Sequence, residues 1–438
     1  MKQRIVLLGS GYTSVWAYKY LLRFAGRRVR SGALEIIVVT DSDGHSFHGF
    51  TGEFLTNELD IGFRTNRAAD LMPHAKIVFG RVVGLDPMTS QVQYCADGVD
   101  RTLSYDHVVV GVGSVDRGAT IPGLFEFGFG VKSETMIQEI RARISEAIDL
   151  AMAGGDASEV ARKLDFTIVG GGFAAVEVAA SLSSHLRDAA RNCPQLKVAK
   201  VRIAHPGKEI LSEIEKSYPR LHRYAVRTLA DLGVPCRHDS RVARLESDRI
   251  HFEDGSSIAT GTVIYAIGQQ RVALPGLSGL VLNLQGKLLA DPYLRAEGHE
   301  NVWVGGDCAS VRHPFKGGGS TCRQDALWAV KHGTRIGKNL ARVTQGRRVM
   351  RFRFPGLGQV AGFGRGRGIL EIYGIPFTGP LAWALRAGFF LYFYPSLKRV
   401  PSLLADIIFG ARASGKDALA RGLDRSQSAR TPILLKQA

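Results

Sequence analysis

The chain has 438 residues, of which 45% are apolar and 22% charged, with a formal net charge of +17. That balance excludes a disordered chain, and the length leaves room for two or three domains. No uninterrupted apolar run reaches the ~18–20 residues of a membrane span, and the five scattered cysteines form no CxxC pair, which points to reduced thiols in a cytoplasmic setting.

Residues 4–21, RIVLLGSGYTSVWAYKYL, read as a buried strand, a glycine turn and the start of a helix. The pattern is Gly9-x-Gly11-x-x-Ser14. The first glycine allows a tight turn and the second lets the backbone approach a pyrophosphate. A small third residue packs helix on strand, and the helix N-terminus then faces the anion. Gly9, Gly11, Tyr12, Thr13 and Ser14 are therefore candidate cofactor contacts. The chain begins on this strand, so no signal peptide is expected. Residues 34–40, LEIIVVT, form a second buried strand. An acid at such a tip binds adenosine ribose hydroxyls, which nominates Asp41 with Thr40 before it. The loop 43–54, DGHSFHGFTGEF, follows that strand, and His45 and His48 read there as structural rather than catalytic.

Alternation over 76–92 predicts short antiparallel strands. Residues 105–114, YDHVVVGVGS, form a buried strand that ends near Gly113. An amphipathic helix is expected over 133–152. Residues 165–182, DFTIVGGGFAAVEVAASL, then repeat the opening design. Gly170, Gly171 and Gly172 make the turn, Ala175 takes the small third place, and Glu177 lies in the following helix. Gly170, Gly172, Phe173 and Ala174 become candidate contacts of a second dinucleotide. Two such units in one chain make coincidence a poor explanation. The second strand of this unit ends at His205. An acid there would favour NADH, whereas His205 and Lys208 could accept the 2′-phosphate of NADPH. Residues 263–270, VIYAIGQQ, run into Gly268 as 105–114 run into Gly113. Residues 301–310, NVWVGGDCAS, deliver Gly305, Gly306 and Asp307 from a buried strand, and a helix is expected over 324–343.

The C-terminal part is basic: from 341 onward sixteen Lys and Arg face four acids. Residues 381–394 are nearly all apolar, and Arg386 alone interrupts them. Val400, Leu403, Leu404, Ile407 and Ile408 fall on one helical face, flanked by Lys398, Arg399 and Arg412. Aromatics with flanking cations describe a helix in a membrane interface, and Pro395 and Pro401 argue against spanning. The alternative is a helix hairpin buried in a soluble core or a homodimer interface. The aromatics are not interleaved with the cations as a nucleic-acid stacking groove requires, so no nucleic acid is expected as a partner.

The three motifs, Gly9-x-Gly11-x-x-Ser14, Gly170-Gly171-Gly172…Glu177 and Gly306-Asp307, resemble those of the two-dinucleotide-binding flavoprotein oxidoreductases over about residues 1–340. Within them the chain looks most like the type II NADH dehydrogenases. GGGFAAVE resembles that family's second glycine motif, a CxxxxC redox pair is missing, and the tail resembles a membrane-binding one. The resemblance implies an α/β fold with two Rossmann-like domains. The FAD domain would comprise 1–118 and 263–345, and the NAD(P) domain 119–262 would be inserted into it. A strand and amphipathic membrane-association region would follow over 346–415, then a disordered basic tail over 416–438. Residues 105–114 and 263–270 would be the crossing strands. Asp307 would hydrogen-bond the ribityl chain of FAD, and Glu177 would sit near the contact of nicotinamide and flavin. One departure stands out. The family's A-Q-x-A-x-Q motif corresponds to Ala326-Leu327-Trp328-Ala329-Val330-Lys331, so Leu327 and Lys331 replace both glutamines. The implied activity is an FAD-dependent NAD(P)H dehydrogenase, peripheral on the cytoplasmic face of the membrane, passing electrons to a quinone. A soluble reductase of a small protein carrier such as a ferredoxin is the alternative, its basic surface docking an acidic partner.

Overall fold

The computed structural model describes residues 2–410, except 119, 273–276 and 278. Two parallel five-stranded sheets carry the fold. The first has the order Val302–Val304, His107–Val110, Gln3–Leu8, Leu34–Thr40, Lys76–Phe79. The second has the order Gly128–Gly130, Thr262–Tyr265, Asp165–Val169, Lys200–Ala204, Cys236–Arg237. The central strands are continuous β-branched and leucine runs, as parallel strands covered on both faces must be. Ile5, Val6, Leu7 and Leu8 are wholly buried. The chain leaves the first sheet after Val110 and returns to it only at Val302, so the first domain is discontinuous and the second is inserted.

Two segments join the domains side by side. Ser114–Asp116 pairs antiparallel with Gln269–Arg271. The return crossing thus starts later than residue 263, because Thr262–Tyr265 is an interior strand of the second sheet, with Thr262 opposite Phe166. A buried apolar run before a glycine looks the same in either sheet, and only pairing tells them apart. Likewise Lys76–Phe79 is parallel, paired with residues 37–40, while the antiparallel meander runs Arg81–Asp86, Gln91–Ala96, Val99–Ser104.

Seven helices frame the site: α1, Tyr12–Arg30; α2, Thr51–Leu55; α3, Glu134–Met152; α4, Phe173–Ala189; α5, Ala326–Val343; α6, Gly379–Tyr392; and α7, Val400–Phe409. The C-terminal region first forms an antiparallel sheet, Gly358–Gly362, Gly368–Ile372, Ile375–Thr378. Ala361, Phe363 and Ile369 enter the core of the inserted domain. Ala387, Tyr394 and Leu403 instead pack on Phe47, Phe50 and Phe54 of the first domain. The apolar stripe of α7 is therefore split. Leu403 is buried, whereas Leu404, Ile408 and Phe409 are exposed, as are Leu381 and Tyr392 of α6. Among the described residues no helix is long and apolar enough to cross a membrane. The basic tail 416–438 lies outside the described residues.

Candidate active site

The first glycine motif makes a cradle. Gly9 has φ +85°, and a Cβ there would come within 3.0 Å of the Gly111 carbonyl oxygen. Gly11 caps α1 with no side-chain hydrogen bond and no acid in the first turn. Gly172 caps α4 in the same way. By contrast Ser133 caps α3 and Asp325 caps α5 with side-chain oxygens. The two helices that follow glycine motifs thus start with first-turn N–H groups left free of a side-chain cap, as an anion site needs. Ser14 is buried and packs close to Gly111, its hydroxyl donating to Leu8 O. Thr40 is spent on the turn, bonding Ser10 Oγ at 3.2 Å, while Asp41 is exposed at the strand tip. Gly170 has φ +135°, and a Cβ there would lie 2.4 Å from the Ala266 carbonyl oxygen.

A second glycine pair was missed in the sequence. Gly333 and Gly337 let α5 lie backbone to backbone on α1. A Cβ at either would fall 2.4 Å from Thr13 O or 2.2 Å from Ala17 O. Their GxxxG spacing is the signal that could have found them. The packing brings the α5 N-terminus, with half-buried Leu327 in its first turn, to the same crevice as Gly306 and Thr13. Asp307 itself starts only a short 3-10 turn, Gly306–Cys308, and the long helix begins at Ala326.

Around Asp307 the two domains meet. Ser114 Oγ donates to Asp307 Oδ2 at 2.6 Å, and Lys132 Nζ pairs with the same oxygen at 3.4 Å. Lys132 comes from the inserted domain and carried no sequence signal. Gly113 and Gly268, with φ +71° and +100°, precede the two crossing segments. Next to them, Tyr12 OH accepts from His48 N, and burial raises its pKa. Arg64 is fully buried. Its Nη2 donates to Val131 O and Lys132 O, but Nε and Nη1 have no partner among the described residues. His45 packs edge-on against Tyr12 with ring centres 4.3 Å apart, and its Nε2 is also unpartnered among the described residues. Burial pushes His45 down to about 4, so it is neutral near pH 7. A glycine cradle, a carboxylate at the crossing and buried donors without partners are the features a flavin dinucleotide would satisfy.

Glu177 has two partners far away in the sequence. Its Oε1 accepts from Gly362 N at 2.7 Å and from the Arg386 guanidinium at 3.0 Å. Arg386 also pairs with Glu53 at 2.5 Å and donates to Gly49 O. It is 1% exposed and lies over the rings of Phe50 and Phe390. The one charge in the apolar run 381–394 is thus the buried tie between α6, α2 and α4. Burial is the first influence on Glu177 and raises its pKa, with Arg386 opposing it.

At the second cradle, His205 does not reach outward. It is 2% exposed, and a Cβ on Gly171 would lie 2.8 Å from its ring. Its Nε2 meets His238 Nδ1 at 3.0 Å, and Gly207 N donates to its Nδ1. Burial lowers its pKa. A neutral, wedged imidazole cannot supply the cation proposed for a 2′-phosphate, and exposed Lys208 is what remains. On α5, Lys331 stands 5.2 Å from the Phe354 ring centre and 5.3 Å from that of Phe393.

Residues 3–333 match the pyridine nucleotide-disulphide oxidoreductase family. The chain belongs to that family. Its five cysteines are all free, and burial pushes Cys308 up to about 11 and Cys322 up to about 12. Neither is a reactive thiolate. Among curated relatives, the demethylphylloquinone reductase NdbB of Synechocystis is 24% identical over 404 residues, covering 90% of this chain and 93% of that protein. The type II NADH:quinone oxidoreductase NdhA of Mycobacterium tuberculosis is 23% identical over 437 residues, with 95% and 89% covered. The fold matches NDH2 of Plasmodium falciparum, solved with NADH, at a TM-score of 0.81 and 14% identity over 93% of this chain and 98% of that one. It also matches the sulfide:quinone oxidoreductase of Aquifex aeolicus at 0.68 and 14% identity, over 100% and 96%.

Proposed function

We propose that the protein is an FAD-dependent oxidoreductase that takes electrons from NAD(P)H and passes them to a membrane quinone. The observation that carries this reading is Arg386, which ties the apolar C-terminal helix directly to Glu177 beside the second nucleotide cradle. A soluble nucleotide oxidase has no need to bring such a helix to its nucleotide site. The full-length relatives named for quinones support the same acceptor. Bound FAD would lie on Gly9, Gly11, Tyr12, Thr13 and Ser14, with Asp41 at its ribose and Asp307, Gly113, Gly268 and Leu327 at its flavin end. NAD(P)H would lie on Gly170, Gly172, Phe173 and Ala174, with Glu177 near its nicotinamide. The flavin supplies the two-electron carrier that nicotinamide and quinone share. The protein's part is to hold both partners and to exclude water. Leu381, Tyr392, Leu404, Ile408 and Phe409 would dip into the interface at the cytoplasmic face of the membrane. A homodimer would use part of the same face.

The test follows NADH and NADPH oxidation with a short-chain quinone, with and without anionic vesicles. Flavin bleaching with quinone turnover that rises on vesicles is expected. Bleaching without quinone turnover would move the acceptor to a small acidic protein carrier, a reading the +17 charge favours. No bleaching by either nucleotide would reject hydride transfer itself.

A further inference from the structure

Residues 130–134 tie the inserted domain to the first one. Lys132 stands two residues past the strand Gly128–Gly130, just before Ser133 caps α3. Its backbone is gripped from the first domain. Buried Arg64 donates to Val131 O at 3.1 Å and to Lys132 O at 3.0 Å, and Thr65 Oγ1 donates to Glu134. Lys132 N donates to Asp116 Oδ2 at 3.0 Å, on the first crossing segment. The side chain turns the same way. Nζ donates to Ser114 O at 3.1 Å and to Ser114 Oγ, and pairs with Asp307 Oδ2 at 3.4 Å.

Proton counting shows what the cation does there. The Ser114 hydroxyl has one proton and two acceptors in reach, Asp307 Oδ2 at 2.6 Å and Gln269 Oε1 at 2.7 Å. Lys132 brings three protons and a full charge, so it serves Ser114 and Asp307 together. With Lys132 donating into Oγ, the single hydroxyl proton goes to the carboxylate, the stronger acceptor. The side chains of Lys132 and Asp307 are only 19% and 16% exposed. At such burial a carboxylate stripped of its cation is costly, so the pair is a directed tie and not a loose surface contact. Both donors meet Oδ2, which leaves Oδ1 for a ligand hydroxyl.

The second sheet carries this tie to the second cradle. Gly130 pairs with Tyr265, and Tyr265 with Val169. These three residues are level on neighbouring parallel strands, and Val169 runs straight into Gly170. Lys132 therefore leaves the sheet at the cradle's own end, roughly 10 Å across it. The crossing itself is a ribbon of two short strands, Ser114–Asp116 and Gln269–Arg271, and two strands alone hold an angle poorly. Resting on the reading that a flavin and a nicotinamide nucleotide occupy the two cradles, we infer that Lys132 is a positioning residue. It locks the inserted domain to Asp307 at the angle that brings the nicotinamide end of one cradle to the flavin end of the other. A misplacement of about 1 Å in such a meeting costs roughly a hundredfold in rate.

The experiment uses the flavin-loaded full chain with Lys132→Met, which keeps the stem and removes the cation, and Lys132→Arg, which keeps the cation. Four readouts are compared with wild type: the limiting rate of flavin bleaching by NADH or NADPH, the nucleotide concentration at half that rate, flavin photoreduction by light and EDTA, and the long-wavelength charge-transfer band of reduced flavin with the oxidised nucleotide. Photoreduction does not use the inserted domain, and the band forms only when the two rings stack. For K132M we expect limiting bleaching down about ten- to a hundredfold, with half-saturation and photoreduction unchanged and the band lost. K132R should restore both rate and band. Hydrogen exchange should quicken over 128–134 in K132M, with or without flavin, while Gln3–Leu8 keeps its protection. A K132M enzyme with wild-type bleaching and band overturns the inference. So does photoreduction slowed as much as bleaching, which would place the loss in the flavin site itself. If neither nucleotide bleaches the wild type, the hydride reading falls, and exchange then decides the tie by itself: unchanged exchange over 128–134 in K132M overturns it.

Discussion

Replacing Arg386 by Met isolates the tie between the C-terminal helix and the nucleotide site. The side chain is 1% exposed, with ion pairs to Glu53 at 2.5 Å and Glu177 at 3.0 Å. Met fills similar volume between Phe50 and Phe390, so the main loss is the cation. Removing one partner of a buried pair costs about 3–5 kcal/mol, because the other charge stays behind. At about 1.4 kcal/mol per decade, that weakens docking of α6 by a hundred- to several-thousandfold. The loss has a definite pH sign. Burial raises the Glu177 pKa and Arg386 opposes that rise, so without the guanidinium its folded pKa lies further above its unfolded one. Its contribution then holds at low pH and is lost as pH rises through the carboxylate range. R386M should therefore lie nearest to wild type at pH 5 and furthest below it at pH 8. Hydrogen exchange read by mass spectrometry on peptides from α6 and α4, at both pH values, measures this directly. Protection in α6 should collapse at pH 8 while the first sheet keeps its own. An R386M protein within about 1 kcal/mol of wild type, or one that is worse at pH 5, would refute the reasoning.

Three further outcomes are expected. Gly337→Ala sets a methyl 2.2 Å from Ala17 O, which overpacks the α1–α5 contact by about 1–3 kcal/mol. Its purified form should carry less flavin by absorbance, and full flavin content would contradict the packing argument. His45 and His332 are buried and held at about 4 and about 3. The unfolded chain takes up their protons first, so stability falls as pH drops below about 6.5, by up to about 1.4 kcal/mol per unit for each. His332→Gln, which can still accept from Gly306 N, should flatten the fall of the melting temperature between pH 7 and pH 5. Finally, Ile408→Glu on exposed α7 forfeits about 2 kcal/mol of burial in a lipid interface. Co-sedimentation with vesicles should weaken roughly thirtyfold, and unchanged binding would assign that face to something other than lipid.

Much of the candidate site stands out in the residues. The two glycine turns, Asp41 and Asp307 are candidates because a phosphate cradle or a strand-end carboxylate needs particular residues at short, local spacing, and Glu177 because it lies just past the first turn of the helix after the second glycine run. Arg386 was visible only as the interruption of an apolar run. Its partners lie 333 and 209 residues away, and no local pattern points that far. The same holds for Lys132, drawn to Asp307 across the domain junction, and for Arg64, whose burial depends on two domains closing over it. His205 shows the reverse error. At a strand tip it reads as a nucleotide contact, yet the space over Gly171 and the nearby His238 turn its ring inward. By itself the sequence determined the doubly dinucleotide-binding plan, the places of both cradles and the apolar, basic character of the C-terminal part, because each rests on contacts within one strand-turn-helix or one helical face. Only the tertiary structure decided which sheet Thr262–Tyr265 joins and where the lone arginine of α6 goes. It also decided which carboxyls share that arginine. Those depend on packing between distant segments, where burial sets the cost of every unpaired charge and so selects its partner.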